Sequence, residues 1–245
     1  MTVYYARGGG LGHVTRARRV LDALGIDAEI VTRVPESLPD RMIVDAFPGG
    51  LEGELCELDV PMDYVARLLR WNEYRRAVPG ALPRFETTYV VEELTPAHEA
   101  FVRAHSARIV RLDLSVAAVA SAADLDDYCL VVHSGPEHEV RELVAFATEL
   151  DPPRRIVVAS PFRIEGYAHV DAYPVSHLFA SAARIVSAAG FNVMLETEPY
   201  RDKHVVVPFP RKFDDQFARA ARRRATASAP RPTRPPRTDT SVAAR

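Results

Sequence analysis

"ARGGGLGHVTRARRVL" (residues 6–21) sets four glycines and a histidine between an apolar run and an arginine-rich stretch with a repeating apolar face. Upstream, Thr2 to Ala6 reads as a buried strand. Downstream, Val14, Ala17, Leu21 and Leu24 recur at helical spacing, and Ala28 to Thr32 is a second apolar run. Strand, glycine turn, helix and strand in that order form a βαβ unit. Two familiar phosphate-binding patterns are absent from the turn, because Gly8-x-Gly10-x-x is followed by His13 rather than glycine and no Gly-Lys-Ser/Thr occurs. What remains is a turn built from Gly9, Gly10 and Gly12, whose amides can approach a ligand closely. A helix start carrying His13 and Thr15 and a partial positive charge follows it. Such a turn serves an anionic or hydroxyl-rich ligand, or it serves only to connect strand and helix. His13 adds chemistry: its reference pKa is near neutrality, so a neutral imidazole there can accept a hydroxyl proton.

The alternation continues. Met42 to Ala46, Thr88 to Val91 and Arg108 to Leu112 read as strands, with helices expected around Met62 to Arg76 and Pro96 to His105. After an Ala/Ser-rich connection, Ser115 to Asp127, come Cys129 to His133, Arg155 to Ala159, His169 to Ala172, Arg184 to Ser187 and His204 to Val207. These are short apolar runs of the kind a parallel sheet buries on both faces. The fold expected is α/β, with two Rossmann-like domains facing a cleft: residues 1–123 and 124–221, followed by an Arg/Pro-rich tail at 222–245.

Composition agrees with a folded body. Hydrophobic residues make up 47% and charged residues 26% of 245, and no apolar stretch reaches the twenty or so residues of a spanning helix. With no signal-peptide layout at the N-terminus, a cytoplasmic body is expected. Cys56 and Cys129 lack CxxC or histidine company, which points to two reduced structural thiols. The net charge of −2 hides an asymmetry: residues 222–245 hold seven arginines and one aspartate, leaving −8 for the rest. Without interleaved aromatics that tail reads as a disordered, solvated segment, and no nucleic-acid partner is expected.

A second stretch, "ARIVSAAGFNVMLETEPYRDKHVVVPFPRKFDDQFARA" (residues 183–220), repeats the strand, glycine turn and helix theme. Gly190 opens a helix, and Glu196 follows it by six residues. Val207-Pro208-Phe209 forms a strand, and Gln216 stands eight residues after Pro208. Each has a plain structural alternative: Glu196 as a solvated helix residue, Asp214 as a helix cap. Together with Gly8-Gly9-Gly10-Leu11-Gly12-His13 they resemble the GT-B glycosyltransferases, in the branch of the enzyme that adds N-acetylglucosamine to the lipid-linked peptidoglycan precursor. "VDAFPGGLEGEL" (44–55) and "LLRWNEYRR" (68–76) look like a group of predicted glycosyltransferases in that superfamily.

The resemblance implies transfer of a sugar from a nucleotide-sugar donor, UDP-linked, to an acceptor hydroxyl, with the UDP-sugar as co-substrate and neither cofactor nor metal. It implies that Gly190 and its neighbours hold the diphosphate and Glu196 the ribose. Asp215 and Gln216 would hold the sugar, and the main chain near Ala172 and Tyr173 the base. His13 becomes the candidate general base, with Asp45 and Glu93 as alternative carboxylates. The acceptor is a small molecule or a lipid-linked one, which would bring a peripheral contact with the inner face of the membrane. Arg67, Arg70, Arg75 and Arg76 are expected on a solvated helix face, and Trp71 and Tyr74 in the core. The family continues past Gln216 with helices that brace the N-terminal domain. Here an Arg/Pro-rich run follows instead, so a shortened C-terminal part is expected. A nucleotide-sugar binding protein without turnover and a UDP-sugar epimerase of the same fold are the alternative readings.

Overall fold

A computed structural model describes residues 1–7, 11–119, 127–150, 154–171 and 174–228. The first half is a six-stranded, wholly parallel sheet: β1 (Thr2–Tyr5), β2 (Glu29–Val31), β3 (Arg41–Asp45), β4 (Met62–Ala66), β5 (Phe85–Val90) and β6 (Ser106–Arg111), in the order β2-β1-β3-β4-β5-β6. Helices α1 (Leu11–Leu24), α2 (Trp71–Ala77) and α3 (Pro96–His105) connect its strands. The second half is a five-stranded parallel sheet: β7 (Tyr128–Val132), β8 (Arg155–Ala159), β9 (Ala168–Val170), β10 (Arg184–Ala188) and β11 (His204–Val207), in the order β11-β10-β7-β8-β9. Helices α4 (Glu137–Leu150) and α5 (Phe191–Glu196) belong to it, and α6 (Gln216–Ser228) follows. The fold is therefore α/β with two parallel sheets, in keeping with two Rossmann-like halves. Strand order reverses between β1 and β3 and again between β7 and β10. The crevices beyond the carboxyl ends of those pairs are where such sheets bind ligands.

Local chemistry explains the elements. Ala17, Val20 and Leu21 bury one face of α1 against Tyr4 and Ile43. Thr95 caps α3 by accepting from the His98 amide, and Pro96 takes the first helical position, where its missing N–H costs nothing.

The expected helix over Met62 to Arg76 is corrected: Met62–Ala66 is a strand buried along its whole length, and only Trp71–Ala77 is helical. Asp63 disguised it. That carboxylate is buried in the strand because Arg41 donates to it from Nε and Nη2, both at 2.9 Å, and the Thr87 amide donates at 3.0 Å. Arg67 is accordingly not on a solvated helix face; it follows β4 and is buried. Trp71 and Tyr74 are core residues as expected, with Trp71 stacked on His98 at 4.2 Å.

The C-terminal end also differs from the expected tail, since α6 runs to Ser228. Alanine and arginine are strong helix formers. Arg223 is anchored besides: Nη1 donates to Glu198 at 2.6 Å and Nη2 to the Met194 carbonyl. Residues 229–245, with the rest of the expected tail, lie outside the described residues.

The halves are locked together. Phe191 and Leu195 of α5 pack among the α1 side chains, and Phe213 inserts beside Phe47 and Tyr74 of the first half. Asp214 forms a β-bridge with Leu69, and the Arg70 amide donates to the Phe213 carbonyl at 2.7 Å. From α6, Arg219 reaches Glu92 with Nε at 2.5 Å and Nη2 at 2.9 Å, and Arg222 donates to the Glu93 carbonyl at 2.7 Å. This helix braces the first half, the task the resemblance assigns to elements further along. Among the described residues no helix is long and apolar enough to cross a membrane.

Candidate functional site

His13 stands in the first turn of α1, beside the carboxyl end of β3. Its Nδ1 lies 2.9 Å from Oδ2 of Asp45, the last residue of that strand. A carboxylate only accepts, so Nδ1 carries the hydrogen and the neutral ring keeps its lone pair on Nε2. Asp45 is fully buried and also accepts from Arg16 Nε at 2.8 Å, from Arg16 Nη2 and from the Tyr4 hydroxyl at 3.2 Å. Burial alone would raise its pKa; the Arg16 guanidinium and His13 overcome that and hold the carboxyl well below its usual range. Arg16 Nη2 also approaches His13 Nδ1 to 2.9 Å, an electrostatic contact, since that nitrogen's electron pair is not free to accept. For His13 itself burial is the leading influence and lowers the pKa, with Asp45 opposing it and Arg16 adding to it. The imidazole is therefore neutral at pH 7, oriented, and partly exposed.

Ala46, directly after Asp45, has φ of +64°, and the Phe47 amide donates back to the Asp45 carbonyl at 2.7 Å, closing a three-residue turn. Such a turn is strained for a residue with a Cβ. It is held from both sides. The Ala46 amide donates to the Val65 carbonyl, and the Tyr64 hydroxyl donates to the Ala46 carbonyl at 2.9 Å. Tyr64 in turn receives the Nε2 hydrogen of buried His98 at 3.0 Å. The strain fixes where Asp45 points. An Ala46→Gly variant should relieve it, and allowing for glycine's greater unfolded-state freedom the net gain is about 1 kcal/mol. Urea unfolding checks this; a midpoint lower than wild type would show that the turn is unstrained.

The second half supplies the facing wall. Gly190 is the residue before α5, in extended conformation. A Cβ built there would meet only Val193 Cγ1, at 3.8 Å, so packing does not demand glycine. Asn192 Nδ2 donates to the Gly12 carbonyl at 2.8 Å, which brings the first turns of α5 and α1 together across the seam. Glu196 also faces α1: its Oε1 accepts from Arg19 Nη2 at 2.6 Å. Asp215, not Asp214, caps α6, by accepting from the Ala218 amide at 3.0 Å. Gln216 is buried, and its Oε1 accepts from the Phe209 amide at 3.0 Å. Thr15 lies on α1. Gly9, Gly10, Ala172 and Tyr173 lie outside the described residues.

Two constellations escaped the sequence reading. In the first, Arg67 (after β4), Asp214 and Arg219 form a buried chain across the seam: Arg67 Nη1 pairs with Asp214 Oδ1, which also accepts from Arg219 Nη2 at 3.0 Å. In the second, His133 follows β7 with Nε2 2.7 Å from Glu139 Oε2, and Arg211 pairs with the same carboxylate. A Cβ at Gly135 would fall 2.3 Å from that ring nitrogen, so this turn does require glycine. His133, Ser134 and Gly135 repeat the strand and glycine-turn theme of the first half, the one signal from which the histidine was legible. Glu93, an alternative base, is at the surface beside Arg222.

Two surface cavities lie apart from His13. One of about 420 Å³ is bounded by Thr148, Ile156 and Tyr167; the other, of about 400 Å³, is at the seam between Leu69, Trp71, Thr95 and Asp215. Among the described residues no three His, Cys, Asp or Glu side chains gather in a way that could hold a metal ion. No family model matches this chain, and no curated protein is similar enough to it to count as a relative.

Proposed function

We propose that the chain is a glycosyltransferase of the GT-B type, moving a sugar from a UDP-linked donor to an acceptor hydroxyl. The observation that carries this reading is His13: a neutral imidazole with Nδ1–H fixed on buried Asp45 and Nε2 left as acceptor, at a seam where the first turns of α1 and α5 meet. That is the arrangement a general base needs. The acceptor O–H gives its proton to His13 Nε2 and its oxygen bonds to the anomeric carbon. The bond from that carbon to the diphosphate breaks, and UDP leaves with the electron pair. Gly190, with space above its Cα, suits a diphosphate approaching the backbone. Asp215 and Gln216, at the start of α6, would hold the sugar.

One observation favours a second reading, nucleotide-sugar binding without turnover. Glu196 Oε1 and Gln216 Oε1 are already engaged within the protein, by Arg19 and by the Phe209 amide. A shut seam would bind without reacting.

The deciding assay offers several UDP-sugars with and without a mixture of hydroxyl acceptors. A transferase releases UDP only when an acceptor is present. A binding protein releases none, and an epimerase converts the sugar without net UDP.

A further inference from the structure

Arg67 is a buried guanidinium that spends only part of its hydrogen-bonding capacity. Its side chain is 4% exposed. Nη1 serves Asp214 and makes a long contact of 3.5 Å to the Leu68 carbonyl. Among the described residues Nε is buried without any hydrogen-bond partner, and the hydrogen bonds of this side chain all leave from Nη1, none from Nη2. Those two nitrogens make up one edge of the guanidinium, the side-on fork that takes both oxygens of a carboxylate or phosphate. Other arginines here use that edge in this way, Arg16 on Asp45, Arg41 on Asp63 and Arg219 on Glu92, each through Nε and Nη2. Leaving Nε empty in the interior is costly, because a buried N–H without an acceptor forfeits its hydration.

The position of this fork links it to the base. Arg67 Cζ lies 5.7 Å from the centre of the Phe47 ring, and the same ring is 6.1 Å from that of His13. Arg67 extends β4 by one residue, and β4 pairs with β3, which ends in Asp45. We propose that the side-on edge of Arg67 binds an acidic group, a carboxylate or a phosphate, on the acceptor, and so orients the acceptor hydroxyl toward His13. The word acceptor rests on the glycosyl-transfer reading; the anion site does not.

The surrounding charges sum to zero, with Arg16, Arg67 and Arg219 set against Asp45, Asp214 and Glu92. A bound anion is therefore held by the geometry of the fork rather than by surplus positive charge, and a bare ion binds weakly, on the order of millimolar.

The test uses the full chain and the ¹H–¹⁵N resonances of its arginine Nε–H groups, assigned by side-chain correlation in the wild-type protein so that no variant has to fold. Acetate and inorganic phosphate are titrated separately at constant ionic strength against chloride. The expected result is a saturable shift of the Arg67 Nε–H that exceeds those of Arg16 and Arg41. The ion that saturates at lower concentration names the acidic group. An Arg67→Lys variant, which keeps the charge and loses the fork, should weaken binding by about tenfold or more. No shift at Arg67, or equal shifts at all three arginines, overturns the site. A shift with UDP but with neither simple anion assigns Arg67 to the donor and overturns the acceptor assignment. Anion binding at Arg67 without any UDP binding would leave this site standing and remove the donor reading.

Discussion

Replacing His13 by alanine is expected to slow sugar transfer by about 10²–10⁴-fold, the usual contribution of a positioned general base. The variant should still fold. Asp45 retains both donors of Arg16 and the Tyr4 hydroxyl, so its buried charge stays satisfied, and the loss of stability is about 1 kcal/mol. Asp45→Ala would be a poorer test, because it strands the buried Arg16 guanidinium and unfolding would mask the chemistry. The rate of UDP release at saturating donor is the readout. Its pH dependence gives a second check. Because burial lowers the His13 pKa below that of a free imidazole, the base stays neutral to lower pH, and the rate should fall with acid at lower pH than it would for a free imidazole base. A His13→Ala protein with undiminished turnover would remove this residue from the mechanism.

Acid should destabilise the fold well before its carboxylates titrate. His98 is fully buried against Trp71, and His204 is buried between Ser187 and Thr197, each at 2.8 Å. Burial, with nearby Arg67 and Arg223 respectively, lowers both pKa values to about 3. In the unfolded chain both return to about 6.5. Between those values the unfolded state binds the protons and the native state does not, so stability is complete above about pH 6.5 and falls as pH drops. Each histidine contributes about 1.4 kcal/mol per pH unit, so together they remove about 5 kcal/mol by pH 4.5. That is comparable with the whole stability of many domains. His13 and His133, also lowered by burial, act in the same direction. Urea midpoints measured from pH 7.5 to 5 should stay nearly level to about pH 6.5 and decline below it, and a His98→Phe variant, which keeps an aromatic ring on Trp71, should show a visibly shallower decline. Midpoints that stay level over that range would contradict the buried, neutral state of both rings.

Much of the fold was legible because parallel strands buried on both faces are short, uninterrupted apolar runs, as at Met42 to Val44 and Ile185 to Val186. Helix α3 lies where it was expected, over Pro96 to His105. The strand at Met62 was hidden because Asp63 looks polar in isolation, and its partners Arg41 and Thr87 lie more than twenty residues away on either side. The same physical cause limits the reading of the site. His13 and Asp45 were each recognisable as reactive residues, yet nothing local says that one fixes the tautomer of the other. The pairing of His133 with Arg211 through Glu139 depends on how the second half folds back on itself, and the chain of Arg67, Asp214 and Arg219 on how the two halves dock. That docking is decided by Phe191 and Phe213, ordinary apolar residues in the sequence.

The most direct measurement is isothermal titration of UDP into the wild-type protein, a Glu196→Ala variant and an Arg19→Ala variant. Both substitutions break the same ion pair across the seam, but only the first removes the carboxylate proposed to bind the ribose. The wild type is expected to bind, Glu196→Ala to lose binding, and Arg19→Ala to retain it or gain affinity as Glu196 is released. Absence of UDP binding in the wild type, or equal binding by all three, would contradict a donor site at Glu196.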